Sequence, residues 1–347
     1  MRLRWYKAVG VCAGLTLVTC HRPLHGAERR VATIEFFGHK GVDVSAVRAA
    51  LPFREGDELL EGEDAKARVR EAVVRASGSE PTDVAAICCR SDGGLLLFIG
   101  LRGASYKAFE YRPAPAGDAR VSIELEELSE RLGEAIGAAV QKGGDAALED
   151  DSQGYALTRD PPVRSIQLTL RRYALAHEPE LFLVLDTSRD AKHRAIASEA
   201  LGYAHQSARQ VHALTRAARD PDGEVRNNAT RAVGVLARAN NRLVRQIPSD
   251  VFIEMLSSGI WTDRNKGAMV LEALTAKRPA AILDKLRAAA LDSLIEMALW
   301  REASHAGFAR MLLGRVAGIP EKRLRELAGN GPPEAIVTAL SGKPGGL

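Results

Sequence analysis

The chain has 347 residues, of which 46% are hydrophobic and 5% aromatic, and its formal net charge is +4. This length predicts two or three domains with sizeable cores. The charge is too mild to indicate a nucleic-acid partner, and the basic residues are interleaved with acidic ones without an aromatic stripe. The low aromatic content favours helical stacks built from Ala and Leu.

The N-terminus is typical of an export signal, predicted over residues 1–27. A basic start is followed by the uncharged apolar run Ala8–Val18. That run is shorter than the roughly 20 apolar residues that span a bilayer, so a cleaved signal is expected. Two processing sites compete, one after Ala27 and one in which a lipoprotein signal ends at 19 and Cys20 is lipidated. The protein is therefore expected in the periplasm or on a membrane as a lipoprotein, unless the run stays in the fold as a helix.

Residues 31–103 are predicted to form a separate α+β module. The pattern gives a strand, two helices and a strand pair, over Val31–Phe37, 46–51, 64–76, 82–89 and 95–101. The order β-α-α-β-β, with Ile34–Gly38, Leu51 and Gly56, resembles a POTRA-type module of envelope proteins. The resemblance implies peptide binding by strand addition at a sheet edge. A passive α+β spacer is the alternative.

Two smaller features of the first half carry no firm chemistry. Cys88 and Cys89 are neighbours, and a bridge between them would be strained, so both are expected to be structural thiols. Residues 104–162 are predicted to be a linker with one helix, Val121–Gln141. Its acidic segment Glu149–Asp151 offers oxygen ligands for a hard cation but lacks the alternating spacing of a calcium loop, so a solvated loop is expected.

Two stretches of the second half are versions of one another. Arg194–Gly202 recurs as Arg226–Gly234, and the offset is 32 residues at every matched position. Each copy follows an acidic turn, at Asp186–Asp190 and at Asp220–Glu224. A fixed period of this length is typical of a solenoid of helical repeats. The glycine that ends each copy costs about 1 kcal/mol of helix propensity, which predicts that neighbouring helices approach closely there.

The repeated unit resembles the HEAT repeat family, in particular the short HEAT-like repeats of phycobilin-lyase-type proteins. The matching residues are Leu214–Asp220, Asp222, Val225, Arg226, Ala229, Ala232–Gly234 and Leu236. The resemblance covers residues 179–319, with further repeats over 250–278 and 279–319. It implies an all-α HEAT-like α-solenoid, predicted over 163–330. The predicted fold is therefore an α+β N-terminal module followed by this solenoid, with a C-terminal tail over 331–347. Antiparallel helices without true repetition are the alternative.

The candidate partner-binding site consists of polar residues at equivalent positions of successive repeats. They open the second helices and are Arg226, Asn227, Asn228, Arg264, Asn265 and Lys266. The resemblance implies that second helices line a concave face, where Arg and Asn side chains can bind a partner's backbone or carboxylates. Trp261 and His305 are expected in the same groove, and Trp300 in the core. For Arg194 and Arg226 the alternative is internal bracing of an acidic turn, at Asp186 or Asp220.

The chain contains no phosphate loop, nucleophile elbow or HExxH motif, and no Cys and His set spaced for zinc. We therefore expect no catalytic residue, no cofactor and no metal. The predicted function is a non-enzymatic scaffold or adaptor that binds a protein or peptide in the cell envelope through its concave face. The alternative is a lyase or chaperone-like subunit that handles a tetrapyrrole or another small ligand, which would require a deep apolar cavity.

Overall fold

The computed structural model describes residues 30–58, 63–87, 94–142 and 148–341. The predicted signal over 1–27 with its lipidation site Cys20, and the pair Cys88 and Cys89, lie outside these residues. No helix within the described ranges is long and apolar enough to cross a membrane.

The N-terminal part forms a small sheet with two helices. Its elements are β1 (Val31–Phe37), α1 (Val44–Ala50), α2 (Glu63–Ser77), β2 (Asp83–Ile87) and β3 (Leu95–Gly100). The strand order is β1-β3-β2, with β1 parallel and β2 antiparallel to β3. The predicted order β-α-α-β-β is confirmed, and so is the coarse fold, an α+β module followed by helices.

Helices dominate the remaining described residues. They are α3 (Ile123–Lys142), the short pair β4 (Glu149–Asp150) and β5 (Leu157–Thr158), α4 (Pro161–Ala176), α5 (Glu178–Thr187), α6 (Ala191–Leu201), α7 (Ala208–Ala217), α8 (Gly223–Ala239), a 3-10 turn at Leu243–Gln246, α9 (Asp250–Met255), α10 (Trp261–Leu274), α11 (Ala280–Ala289), α12 (Leu291–Ala298), α13 (Ala303–Val316), α14 (Glu321–Asn330) and α15 (Glu334–Ser341). Asp222 begins α8 by accepting backbone N–H groups at its first turn, the usual chemistry of an N-cap.

The chain folds into two compact units. Unit 1 contains the described residues up to Phe109, Ile253–Ala268, and the residues from Lys277 onward. Unit 2 contains Glu110–Phe252 and Met269–Ala276. This division differs from the predicted one, which set 31–103 apart and joined 163–330 in one solenoid. The reason lies in the two faces of the sheet.

One face of the sheet packs on α1 and α2. Ile34 and Phe36 of β1 and Ile99 of β3 share a core with Val69 and Val73 of α2. A small α+β module is expected to bury this face against its helices. Every second residue of a strand points to the same face of the sheet, so these apolar side chains lie together.

The opposite face of the sheet packs on helices from the end of the chain. The ring of Phe98 lies 5.0 Å from Trp261, 4.9 Å from Trp300 and 5.6 Å from His305, between ring centroids. Every residue of β3 is buried, as in strands that are covered on both faces. The sheet in unit 1 is therefore completed by residues of the helical region that are far away in sequence: Trp261 on α10, His305 on α13, and Trp300 between α12 and α13.

Unit 2 is built from helices that pack in pairs. Helix α5 packs on α6, α7 on α8, and α6 on α8. A Cβ at Gly202 would lie 3.1 Å from the Ala232 Cβ, and one at Gly234 would lie 2.6 Å from the Met269 Cε. The predicted close approach of neighbouring helices at both glycines is confirmed.

Candidate functional site

Most of the predicted partner-binding side chains are buried. Five are between 0% and 6% exposed: Arg226, Asn227, Arg264, Asn265 and Lys266. The sixth, Asn228, is partly buried, and its Nδ2 donates to the Ala195 carbonyl at 3.2 Å. In the described chain these residues do not line an open surface. The aromatic side chains of Trp261 and His305, expected in the same groove, are buried against Phe98 instead, as is Trp300.

The arginines of successive repeats hold the turn that precedes their own helix. In each case the guanidinium donates to the carbonyl six residues earlier. Arg194 binds Ser188 at 3.0 Å, Arg226 binds Asp220 at 2.9 Å, and Arg264 binds Ser258 at 2.6 Å. The shared geometry supports the sequence register of all three repeats. It also means that these donors are occupied inside the chain.

In unit 2 the carboxylate of Asp220 accepts hydrogen bonds from two arginines. Arg194 binds it through two bonds of 2.9 Å and 2.7 Å, and Arg112 adds a third of 2.7 Å. Burial alone would raise the pKa of Asp220, but the hydrogen bonds from Arg194 and Arg112 outweigh burial and lower the pKa. The bracing alternative therefore holds for Arg194, with Asp220 as the acid.

In unit 1 Glu296 has the corresponding role. Its carboxylate accepts the backbone N–H of Gly38 at 2.8 Å and of His39 at 3.0 Å, together with the Ser105 hydroxyl. Arg264 approaches it to 3.5 Å. Burial lowers the pKa of Arg264 to about 10, against the opposing pull of Glu296. This polar cluster fixes the turn after β1, and the His39 imidazole, which is 33% exposed, lies at its rim with Nδ1 3.6 Å from a Glu296 carboxylate oxygen.

The segment predicted as a linker binds the repeats through its backbone. Its N–H groups bond one repeat-equivalent carbonyl after another: Lys107 to Ser257 at 2.8 Å in unit 1, then Arg112 to Arg219 and Gly117 to Thr187, both at 2.7 Å, in unit 2. In unit 2 the Arg226 guanidinium also stacks on Tyr111, 4.5 Å from the ring centroid. The chain itself thus covers the start of the second helix, which explains the burial of Arg226.

The acidic segment after α3 is also used internally. Glu149 pairs with Arg231, and Asp151 pairs with Arg238 at 2.5 Å. Asp150 accepts the backbone N–H of Ser152, and hydrogen bonds from Ser152 lower its pKa. Within the described residues, no group of three or more His, Cys, Asp and Glu side chains could hold a metal ion.

The outer edge of β1 is closed by side chains. Glu55 accepts the Ile34 N–H at 2.9 Å, Arg301 donates to the Ile34 carbonyl at 3.1 Å, and Trp300 donates to the Phe36 carbonyl at 3.1 Å. The hydrogen bond from Arg301 lowers the pKa of Glu55 to about 2, so the carboxylate stays charged. An added strand would have to displace all three side chains.

Within the described ranges, the outer edge of β2 differs from that of β1. Residues 83–86 are partly exposed, and no other strand lies beside β2 in the part of the chain that the structure describes. At the start of β2, Asp83 Oδ2 accepts the N–H of Trp261 at 2.9 Å. Burial raises the pKa of Asp83 to about 6, although this hydrogen bond opposes the shift. In the described residues, the sheet therefore has one edge closed by side chains and one edge without a neighbouring strand.

Two concave features of the described chain bear on the small-ligand alternative. A cavity between α6 and α8, lined by Glu199, Tyr203 and Arg231 among others, has about 10 Å³, room for one water. A cleft in unit 1 between Phe53 and Arg68 has about 110 Å³. Small-molecule sites are typically about 300–1,000 Å³, so neither feature is large enough for a tetrapyrrole.

No family model matches the chain, and no curated protein matches it. The POTRA resemblance implied strand addition at a sheet edge, but it did not indicate that β2 is this edge. The signal for this edge was present: β2 is short and mixed, Asp83–Ile87, whereas Leu95–Gly100 is continuously apolar and therefore belongs in the middle of a sheet.

Proposed function

We propose that this protein is a non-enzymatic scaffold that binds an extended segment of a partner protein along β2. The observation that carries the proposal is the difference between the two sheet edges. Unpaired N–H and C=O groups at an edge are a template for a further strand, and natural proteins usually block such edges. Here β1 is blocked by Glu55, Trp300 and Arg301, while β2 is left open.

The kind of partner follows from the kind of surface. Strand addition takes its affinity from backbone hydrogen bonds and its specificity from alternate side chains. The proposed ligand is therefore a peptide segment in an extended conformation, with no cofactor. The POTRA resemblance of residues 31–103 implies the same mode of binding and supports the proposal.

In this proposal the helices cover and hold the sheet and do not bind the partner. We propose that they continue as a HEAT-like solenoid, a reading supported by the equivalent roles of Arg194, Arg226 and Arg264. Partner binding through Asn227 and Asn265 has less support, because both side chains are buried. The export pattern over 1–27 supports a place in the cell envelope, periplasmic or lipid-anchored at Cys20, and hence an envelope protein as partner.

A matched pair of proline substitutions tests the open edge. Alternate residues of an edge strand direct their N–H groups toward the neighbouring strand and toward the open side. Ala85→Pro and Ala86→Pro are therefore expected to differ in stability. One of them removes a backbone hydrogen bond to β3, and the other removes only an N–H that points away from the sheet. The better tolerated variant, identified by thermal unfolding, is the one that reports on binding.

The binding measurement uses the full chain on a solid support and a membrane and periplasmic extract. Proteins retained by the wild type are identified and quantified by mass spectrometry. The better tolerated proline variant is expected to lose the partner while keeping its fold. Undiminished retention by that variant would rule out strand addition at β2.

A further inference from the structure

Two carboxylates at β4 pair with arginines of α8; Glu149 lies on the strand, and Asp151 is the residue directly after it. Glu149 pairs with Arg231, and Asp151 pairs with Arg238. Both pairs lie within unit 2. They join β4 and the residue after it to a 17-residue helix, so the helix presents the positive charges and residues 149–151 supply the counter-charges.

The two strands of this hairpin are held differently. Leu157 and Thr158 of β5 are buried, at 3% and 5% exposure. Glu149 is only partly buried, and Asp150 is exposed. Strand β5 is thus part of the core of unit 2. Strand β4 lies outside it, held by its pairing with β5 and by the two ion pairs.

We propose that Arg231 and Arg238, with the edge of β5 beneath β4, form a binding site for an acidic extended peptide of another protein, and that β4 is its occupant in cis. The site is separate from β2, lies in the other unit and does not depend on the proposed function.

The spacing of the charges matches an extended peptide. Residues 231 and 238 are two helical turns apart, about 10.5 Å along one face of α8. In an extended peptide, residues i and i+2, such as 149 and 151, point to the same side and are about 7 Å apart. In this chain Asp151 also opens a turn, because its carbonyl accepts the Gly154 N–H at 2.9 Å. Long arginine side chains bridge the remaining difference. A small anion would satisfy one guanidinium, whereas a peptide with acids at positions i and i+2 satisfies both and also pairs with β5.

Because the Arg231 guanidinium is mostly buried, it needs a negatively charged partner. The side chain of Arg231 is 16% exposed, and that of Glu149 is 10% exposed. Burial opposes the charge on Arg231, but the neighbouring Glu149, Tyr203 and Glu199 outweigh it and raise its pKa. If β4 leaves, a mostly buried guanidinium loses a counter-charge, which is strongly unfavourable. A replacement carboxylate restores it.

The test uses the chain's own sequence as the probe. The fluorescent peptide Leu-Glu-Asp-Asp-Ser-Gln, identical to residues 148–153, is titrated into the full chain, and Leu-Gln-Asn-Asn-Ser-Gln serves as the neutral control. In the double variant Glu149→Gln with Asp151→Asn, the cis strand keeps its shape but no longer competes by charge. A third chain adds Arg238→Gln to this double variant.

We expect the double variant to bind the acidic peptide at least about tenfold more tightly than the wild type, because a tethered competitor acts at a millimolar effective concentration. Added salt and Arg238→Gln should both weaken that binding. Equal affinity of wild type and double variant, or equal affinity for the two peptides, would overturn the proposal.

If the double variant does not fold, a second measurement on the wild type tests the same proposal. The wild type is mixed with millimolar peptide, and hydrogen exchange is followed at residues 149–151. The acidic peptide is expected to speed exchange there by displacing β4, and the neutral peptide is expected to leave it unchanged. Unchanged exchange with both peptides would overturn the proposal as well.

Discussion

Arg194 and Arg216 are both arginines on helices of unit 2, but their ion pairs lie in different surroundings. Arg194 is 2% exposed and its partner Asp220 is fully buried, whereas Arg216 and Asp186 are 52% and 39% exposed. Removing one partner of a buried pair leaves an uncompensated charge, which costs about 3–5 kcal/mol. An exposed pair contributes about 0–1 kcal/mol.

We therefore predict that Arg194→Met lowers the free energy of unfolding by about 3–5 kcal/mol. The matched change Arg216→Met should lower it by less than about 1 kcal/mol. Urea unfolding of the two variants beside the wild type measures both values. Similar losses for the two variants would contradict the assignment of Arg194 as an internal brace.

Asp83 gives a prediction about pH. Its folded-state pKa of about 6 lies above the usual 3.8, so the folded protein binds this proton more tightly than the unfolded chain does. The contribution of this group to stability is complete below pH 3.8 and is lost as the pH rises through 6. Asp83→Asn has no charge to bury, and its amide oxygen can still accept the Trp261 N–H.

The stability of Asp83→Asn relative to the wild type should therefore increase from about pH 4 to about pH 7 and then level off. Urea unfolding at several pH values across this range measures the difference. Parallel stability profiles for the two proteins would show that the Asp83 carboxyl is not held in a desolvated site.

At the residue scale the sequence predicted positions better than roles. The repeat placed Arg194, Arg226 and Arg264 at equivalent sites, and the structure gives them equivalent hydrogen bonds. Whether such a side chain faces a partner or its own turn depends on what covers the helix. The covering residues, Lys107 to Gly117, belong to a Pro-rich segment without a repeat pattern, so periodicity carried no information about them.

At the scale of elements, β3 and the aromatic residues around Phe98 dominate unit 1. Phe98 is fully buried and contacts Trp261, Trp300 and His305. Truncating a buried aromatic side chain removes its burial and leaves a cavity, which costs about 3–5 kcal/mol. Phe98→Ala should lose this much, while Val74→Ala, at a 37% exposed position of α2, should lose much less.

Thermal and urea unfolding of Phe98→Ala and Val74→Ala check this prediction. A small effect at Phe98 would mean that the helices of unit 1 do not cover the second face of the sheet. The sequence predicted each strand and helix of this module, because their apolar periods are local. The apolar run Leu95–Gly100 is typical of a strand buried on both faces, but such a run does not indicate which helices provide the second cover.

At the scale of the whole molecule, unit 1 is assembled from segments that are distant in sequence. Its sheet depends on Trp261 and Trp300 for one of its two covered faces. We predict that a fragment of residues 30–109 does not unfold cooperatively by itself, since it would expose that face to water. Circular dichroism and calorimetry of the fragment test this, with the full chain as the control. A sharp, reversible transition of the fragment would restore the separate module that the sequence predicted.

Hydrogen exchange at the two sheet edges tests the proposed strand addition at β2. It is measured in the full chain with and without a partner protein captured from the envelope extract. Strand addition forms new backbone hydrogen bonds at the edge that accepts the strand. We predict slower exchange within Asp83–Ile87 on partner binding and no change within Val31–Phe37, whose edge is already occupied. Protection on the helices alone, with β2 unchanged, would contradict the proposed mode of binding.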